Sequence, residues 1–185
     1  FLSDSKSVTQ IKMENEPSTL GEQIVTTTLK NPPLTDSPII TSQIKQEIET
    51  LFTIDREEIF EDGMESDFSK ELFYAIQKYG DPVIEILAEL MDYEGVNIEI
   101  ASEAMRWLGH IDHPPTYNKR LWLLERSLQH DSARVRDGAL LGLSSLDDPD
   151  AIPYLKEAIE TEKCKELRED MERTLLELEN LERIY

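Results

Sequence analysis

The sequence predicts an all-α fold: a short α-solenoid of about three helix pairs with a capping C-terminal helix and a mostly irregular N-terminal arm. Three observations lead to this fold class. Apolar residues recur at helical spacing from residue 66 onward, no segment alternates with the period of two expected of a strand, and the pattern repeats after about 35 residues. We predict an arm at 1–37, a helix with an acidic linker at 38–65 and the solenoid at 66–185.

The N-terminal arm is rich in Ser, Thr, Asn and Pro, and its apolar residues follow no helical or strand period. Such a composition is typical of a segment that is disordered or becomes ordered on a partner. After the arm, Ile40, Ile44 and Ile48 predict a helix over 39–53. The acidic stretch that follows has apolar residues between its carboxylates, a pattern that fits either a linker or a docking segment for a basic surface.

Caps and helix breakers predict the helix boundaries of the solenoid. Ser66 is suited to cap its first helix, Gly80 ends that helix, and Pro82 is well placed at the start of the next. Later helices are predicted from about 97 to 109, from 116 to 129, from near Ser132, from 151 to 162 and from 165 to 181.

A shift of 35 residues aligns the chain with itself, and a weaker echo follows at a shift of 32. The aligned pairs are Ile100 with Val135, Ala104 with Ala139, Leu108 with Leu143, Asp112 with Asp147 and Pro114 with Pro149. A repeat of this length, built of two helices, is the mark of an α-solenoid. Within the repeat, Gly142 is interpreted as a close-packing residue and Gly109 as a helix C-terminal cap.

The segment from His130 to Ile159, "HDSARVRDGALLGLSSLDDPDAIPYLKEAI", resembles the HEAT-repeat family, as found in small bacterial HEAT-repeat proteins. The resemblance covers about 66–183. It implies HEAT-like helix pairs and a structural ladder in which the turn residue Asp131 pairs with Arg136. The preceding copy departs from the family pattern because Ala101 occupies the position of the arginine, so the resemblance implies a short, irregular array.

The charge excludes some function classes. Nineteen basic against 39 acidic residues give a net charge of −20, a field that repels a nucleic-acid backbone and attracts basic proteins. No apolar run approaches the length of a membrane span, and no signal peptide is recognisable. With a single cysteine, an internal disulfide is impossible. We therefore expect a cytoplasmic protein with no membrane contact and no direct binding to nucleic acid.

No catalytic or cofactor motif is evident. His110 and His113 are three residues apart around Asp112, but no further ligands lie nearby in the sequence, and a turn at a helix end explains them better than a metal does. Cys164 has no companion that would make it a nucleophile. We therefore expect a protein that is not an enzyme and holds no metal or cofactor.

The sequence favours a non-catalytic interaction module, an adaptor, subunit or inhibitor within a larger complex, that binds a basic protein through its acidic solenoid surface and N-terminal arm. The predicted partner-binding residues are Ile54, Glu57, Glu58, Phe60, Glu61, Asp62, Trp107 and Trp122. Tryptophan is enriched at interface hot spots, although core packing is the default for both indoles. Two alternatives stay open. Some HEAT-like proteins are bilin or tetrapyrrole lyases, and an acidic surface can mimic nucleic acid to regulate a DNA-binding protein.

Overall fold

A computed structural model of the chain describes residues 38–53 and 64–182. These ranges contain eight α-helices and no strand, which confirms the predicted all-α solenoid. The helices are α1 Pro38–Thr53, α2 Asp67–Tyr79, α3 Asp81–Met91, α4 Ile98–His110, α5 Tyr117–Ser127, α6 Ala133–Leu146, α7 Ile152–Thr161 and α8 Lys165–Glu182. The predicted arm lies outside the described residues.

The predicted helix starts agree with the observed caps. The Ser66 hydroxyl accepts from the Ser69 backbone N–H, and the Ser69 hydroxyl accepts from the Ser66 N–H, so the two residues form a capping box. Asn97 caps α4 through its side-chain oxygen, which accepts from the backbone N–H groups of Glu99 and Ile100. The two Asp-x-Pro segments of the repeat become equivalent 3-10 turns, Pro114–Thr116 and Pro149–Ala151, each leading directly into the next helix.

The helices stack in two rows. Helices α2, α4, α6 and α8 follow one another in one row, and α3 lies beside α5 in the other. Within repeats, α2 packs on α3 and α4 on α5, while α8 closes the array by packing against α6 and α7. Side-chain contacts between Glu99 and Arg134 and between His110 and Ser145 join residues 35 apart, so α4 and α6 run parallel at the spacing that the sequence repeat predicts.

Helix α1 packs against α2 and α3 and extends the core beyond the repeats. It buries Ile44, Ile48, Leu51 and Phe52, and the Phe52 ring meets the Phe68 ring edge to face with centroids 5.7 Å apart. The apolar periodicity of α1 is therefore matched by the end of the solenoid, and this helix is the N-terminal cap of the described array.

The most extensive helix contact in the described part of the chain joins α4 to α6 and is lined by glycines. A Cβ added to Gly142 would lie 2.5 Å from the Met105 carbonyl oxygen, one on Gly109 would lie 2.0 Å from the Gly142 carbonyl oxygen, and one on Gly138 would lie 2.3 Å from that of Ser102. Close packing is thus the reason for Gly142, as the sequence predicts. The cap prediction for Gly109 is wrong, because Gly109 lies inside α4, which continues to His110.

Candidate interaction surface

Helix α3 is acidic on its exposed side, and its carboxylates are matched by basic side chains from both neighbouring helices. The pairs are Lys45 of α1 with Glu89 (2.7 Å), Lys119 of α5 with Asp81 (3.3 Å) and with Glu85, and Arg126 of α5 with Asp92 (2.6 Å). Exposed pairs of this kind contribute at most about 1 kcal/mol each. Two of them, Lys119–Glu85 and Arg126–Asp92, join residues 34 apart and hold α3 and α5 in register, and all four neutralise this part of the surface.

Trp122 stands between the two cations of α5 that make those pairs. Its side chain is 47% exposed, although an indole offers more apolar area to bury than most side chains. The guanidinium carbon of Arg126 lies 5.7 Å from the centre of its ring. We call Trp122, Lys119 and Arg126, with the α3 carboxylates that they pair, the Trp122 surface. It presents an aromatic side chain to solvent between two paired cations.

Trp107 has a different environment. It is half-buried, and its indole Nε1 donates to Glu103 Oε1 at 2.6 Å. The same carboxylate accepts two hydrogen bonds from Arg106, at 2.7 and 2.9 Å, and the Arg106 guanidinium lies 5.0 Å from the Trp107 ring. Both charged residues are buried. The indole N–H of Trp107 is therefore already engaged in a hydrogen bond within the protein. The two tryptophans do not form one site.

Glu125 is a functional candidate that the sequence reasoning missed. The residue is 8% exposed, and its carboxyl group makes no hydrogen bond or ion pair within the described ranges. Burial, together with Asp148 and Asp150, raises the pKa of Glu125 to about 7. One sequence signal could have revealed it, because Glu125 follows Leu121 by four residues and precedes Leu128 by three, on the apolar stripe of α5.

In the structure, Arg136 of the predicted ladder pair contacts the backbone of Asp131 and takes its carboxylate partner from elsewhere. Arg136 Nη1 donates to the backbone carbonyls of His130 (2.8 Å) and Asp131 (2.9 Å). Its carboxylate partner is Glu162, which accepts at 2.7 and 2.8 Å and also accepts from the Cys164 backbone N–H. The physical reason is position: Asp131 is exposed in its turn, whereas Glu162 is buried at the end of α7 and faces the guanidinium.

Six of the predicted partner-binding residues lie outside the described residues. They are Ile54, Glu57, Glu58, Phe60, Glu61 and Asp62. The histidines considered as metal ligands contact hydroxyls instead: His110 Nε2 lies 3.2 Å from Ser145 Oγ, and His113 Nδ1 lies 3.0 Å from Thr116 Oγ1. Across 38–53 and 64–182, no group of three or more acidic, histidine or cysteine side chains could hold a metal ion.

The stacked helix pairs and their terminal cap define an α-solenoid. Comparison with family models identifies residues 84–175 as HEAT repeats, and the chain therefore belongs to the HEAT-repeat family. No curated protein and no solved structure matches it significantly. In the part of the chain that the structure describes, no helix is both long enough and apolar enough to cross a membrane.

Proposed function

We propose that this protein is a non-catalytic adaptor, subunit or inhibitor that binds a basic segment of a partner protein, with Trp122 as the anchor of the interface. HEAT repeats are generally protein-interaction modules, and their family is typically non-catalytic. The observation that carries the proposal is the half-exposed indole of Trp122 on a helix whose neighbouring charges are fixed by ion pairs. Such preorganised aromatic side chains dominate the energetics of protein interfaces.

The distribution of charge supports a basic partner. Residues 147–182 contain 13 acidic and five basic side chains, a net charge of −8. Unlike the acidic side of α3, the exposed faces of α7 and α8 keep carboxylates that pair with no cation among the described residues. These are Glu157, Glu160, Glu172 and Glu177. Uncompensated carboxylates of this kind steer a basic segment toward the solenoid and accelerate its association.

The proposal is tested by affinity capture with the full chain and the Trp122→Ala variant, followed by measurement of the captured protein's Kd. We expect truncation of the indole to weaken binding by at least about tenfold, as for a hot-spot residue. Because charge steers the encounter, we also expect binding to weaken as salt is raised from low to physiological concentrations.

Tyr74→Ala is the matched control, since Tyr74 is an exposed aromatic residue on α2, away from the Trp122 surface. Its binding should equal that of the unaltered chain. A second variant, in which Glu57, Glu58, Glu61 and Asp62 are replaced by their amides, tests the acidic segment in the full chain. If every captured protein binds Trp122→Ala and the unaltered chain equally, or if the partner's binding segment is acidic, the proposed function is wrong.

A further inference from the structure

Arg120 is the one buried cation in the described ranges that has no carboxylate partner. Its side chain is 1% exposed, and no carboxylate oxygen of the residues that the structure describes lies within 4.0 Å of its guanidinium nitrogens. The other buried or half-buried arginines that form ion pairs, Arg106 and Arg136, each have a bidentate carboxylate. A charged guanidinium in the interior without a counter-ion destabilises the fold, because it loses its hydration and no ion pair offsets that loss.

Only two of the three guanidinium nitrogens of Arg120 donate hydrogen bonds to described residues. Nε donates to Thr116 Oγ1 at 3.2 Å, and Nη1 donates to the backbone carbonyl of Leu108, which belongs to the last turn of α4. Arg120 therefore caps the C-terminal end of that helix. Nη2 makes no hydrogen bond within the described residues. Because no fully buried polar side-chain atom there lacks a partner, Nη2 is in reach of solvent.

The surface that Nη2 can reach is a cleft of about 310 Å³, which we call the Arg120 cleft. It lies between the end of α4, the start of α5 and the end of α6, and its lining includes His110, Asp112, Tyr117 and Ser145. Burial and the nearby Arg106 lower the pKa of His110, so that this imidazole is neutral at pH 7. Arg120 is thus the cation of the cleft.

We propose that the Arg120 cleft binds a carboxylate group, which accepts a hydrogen bond from Nη2 and supplies the counter-ion that Arg120 lacks. Two acidic residues select for low ligand charge. Asp112 lines the cleft, and Asp148, which accepts a hydrogen bond from the Tyr117 hydroxyl, lies at its edge. Next to these carboxylates a monoanion is repelled less than a phosphate dianion, and a guanidinium fork matches carboxylate geometry.

This site is separate from the Trp122 surface. Successive residues of an α-helix are rotated by about 100°, so Arg120 and Trp122 lie on opposite faces of α5. The exposures agree, since Arg120 is buried and Trp122 is half-exposed. Occupancy of the cleft therefore does not depend on the proposed protein partner, and the two proposals can fail independently.

The test is a titration of the full chain at pH 7 with sodium acetate against sodium chloride at equal ionic strength, followed by two-dimensional amide NMR. We expect saturable shifts at Gly109, Tyr117 and Ser145 with acetate and none with chloride. Inorganic phosphate should bind more weakly than acetate. Acetylated dipeptides with a free or an amidated C-terminus then identify the source: binding that is tighter than that of acetate and lost on amidation indicates a peptide terminus, and equal binding indicates a small carboxylate.

Two variants separate binding from folding. Arg120→Lys keeps the charge but loses the second donor, and we expect it to weaken acetate binding at least about tenfold, the value of one charge-assisted hydrogen bond. Arg168→Met is the control, because Arg168 lies on the distant helix α8 and pairs with no carboxylate among the described residues, and it should bind acetate normally. Shifts that grow linearly with acetate, tighter binding of phosphate, or undiminished binding by a folded Arg120→Lys would each overturn the proposal.

Discussion

Two buried glutamates, Glu125 and Glu162, have pKa values that move in opposite directions. The two hydrogen bonds from Arg136 are the main reason that the pKa of Glu162 lies below its ordinary value. In the part of the chain that the structure describes, no cation pairs with Glu125, and burial raises its pKa to about 7. At the scale of single residues, the direction in which the pKa of a buried carboxyl shifts thus depends on whether a cation contacts it. The two glutamates therefore make the free energy of unfolding depend on pH in opposite ways.

For Glu125, the raised pKa means that its contribution to stability is fully present below the unfolded value of 4.5 and is lost as the pH rises toward 7. We expect Glu125→Gln to match the unaltered chain near pH 4.5 and to exceed its free energy of unfolding by up to about 3 kcal/mol at pH 8. Urea unfolding across this range measures the difference. Glu157→Gln is the control, because Glu157 is exposed and pairs with no cation within 38–53 and 64–182. A pH-independent effect of Glu125→Gln would contradict the expectation.

For Glu162 the sign is reversed, because its folded pKa is depressed. Its stabilising contribution is present above the unfolded pKa and is lost as the pH falls through the folded value. We expect Arg136→Met to lower the free energy of unfolding by about 3 kcal/mol at pH 7, since it leaves a buried carboxylate unpaired, and by much less at pH 3. Arg134→Met removes an exposed pair with Glu99 and should cost at most about 1 kcal/mol. Equal losses for the two variants would refute this account.

At the scale of elements, the contact between α4 and α6 depends on backbone approaching backbone. Helix propensity alone predicts that replacing Gly142 by alanine stabilises α6 by about 1 kcal/mol. A methyl group there would instead meet the Met105 carbonyl oxygen at 2.5 Å, closer than non-bonded atoms allow, so the two helices would have to separate.

We therefore expect Gly142→Ala and Gly109→Ala each to lower the thermal midpoint, with a loss of about 1 to 3 kcal/mol in the free energy of unfolding. Gly95→Ala is the control, because the nearest atoms to its added Cβ belong to the exposed, rotatable Tyr93 ring. Thermal unfolding followed by circular dichroism measures all three variants. A raised midpoint for Gly142→Ala would show that propensity outweighs packing at this contact.

The sequence predicts the elements well because their signals are local. The Ser66 cap and the Pro82 helix start each depend on residues close in the chain, and the 35-residue repeat is visible directly as a recurring pattern; all are found in the structure. The partners of buried charges are not local. Glu162 reaches Arg136 across 26 residues, and the Arg120 cleft forms where three helix ends meet, so neither follows from spacing. The packing role of Gly109 does not follow from local sequence either, because its partner Gly142 lies on another helix.

At the scale of the whole molecule, α1 belongs to the same core as the repeats. In a solenoid each element is stabilised by its neighbours, so α1 should unfold together with α2 and α3. Ile48 is fully buried in that contact, whereas Ile39 of the same helix is 70% exposed. Truncating these two side chains therefore tests whether α1 is an integral cap or an attached helix.

We expect Ile48→Ala to lower the free energy of unfolding by about 2 to 5 kcal/mol and to keep a single cooperative transition. Ile39→Ala should change it by less than about 0.5 kcal/mol. Chemical unfolding followed by helix content and by tryptophan fluorescence checks both, since the tryptophans report on the second repeat. Separate transitions for the two probes would mean that α1 unfolds independently.

The glycine contact between α4 and α6 also limits how this array can lengthen. Solenoids commonly grow by tandem duplication of a repeat. The duplicated copy must then pack against the repeat that precedes it in the chain, so the contacting surfaces of the two copies must be complementary. In the 35-residue alignment Trp107 of α4 takes the position of Gly142. A duplicated copy of the α4–α5 repeat would bring an indole to the point where Gly142 now leaves no room for a methyl group. The array therefore cannot lengthen by that duplication, because the contact between these two helices requires a residue without a side chain at this position.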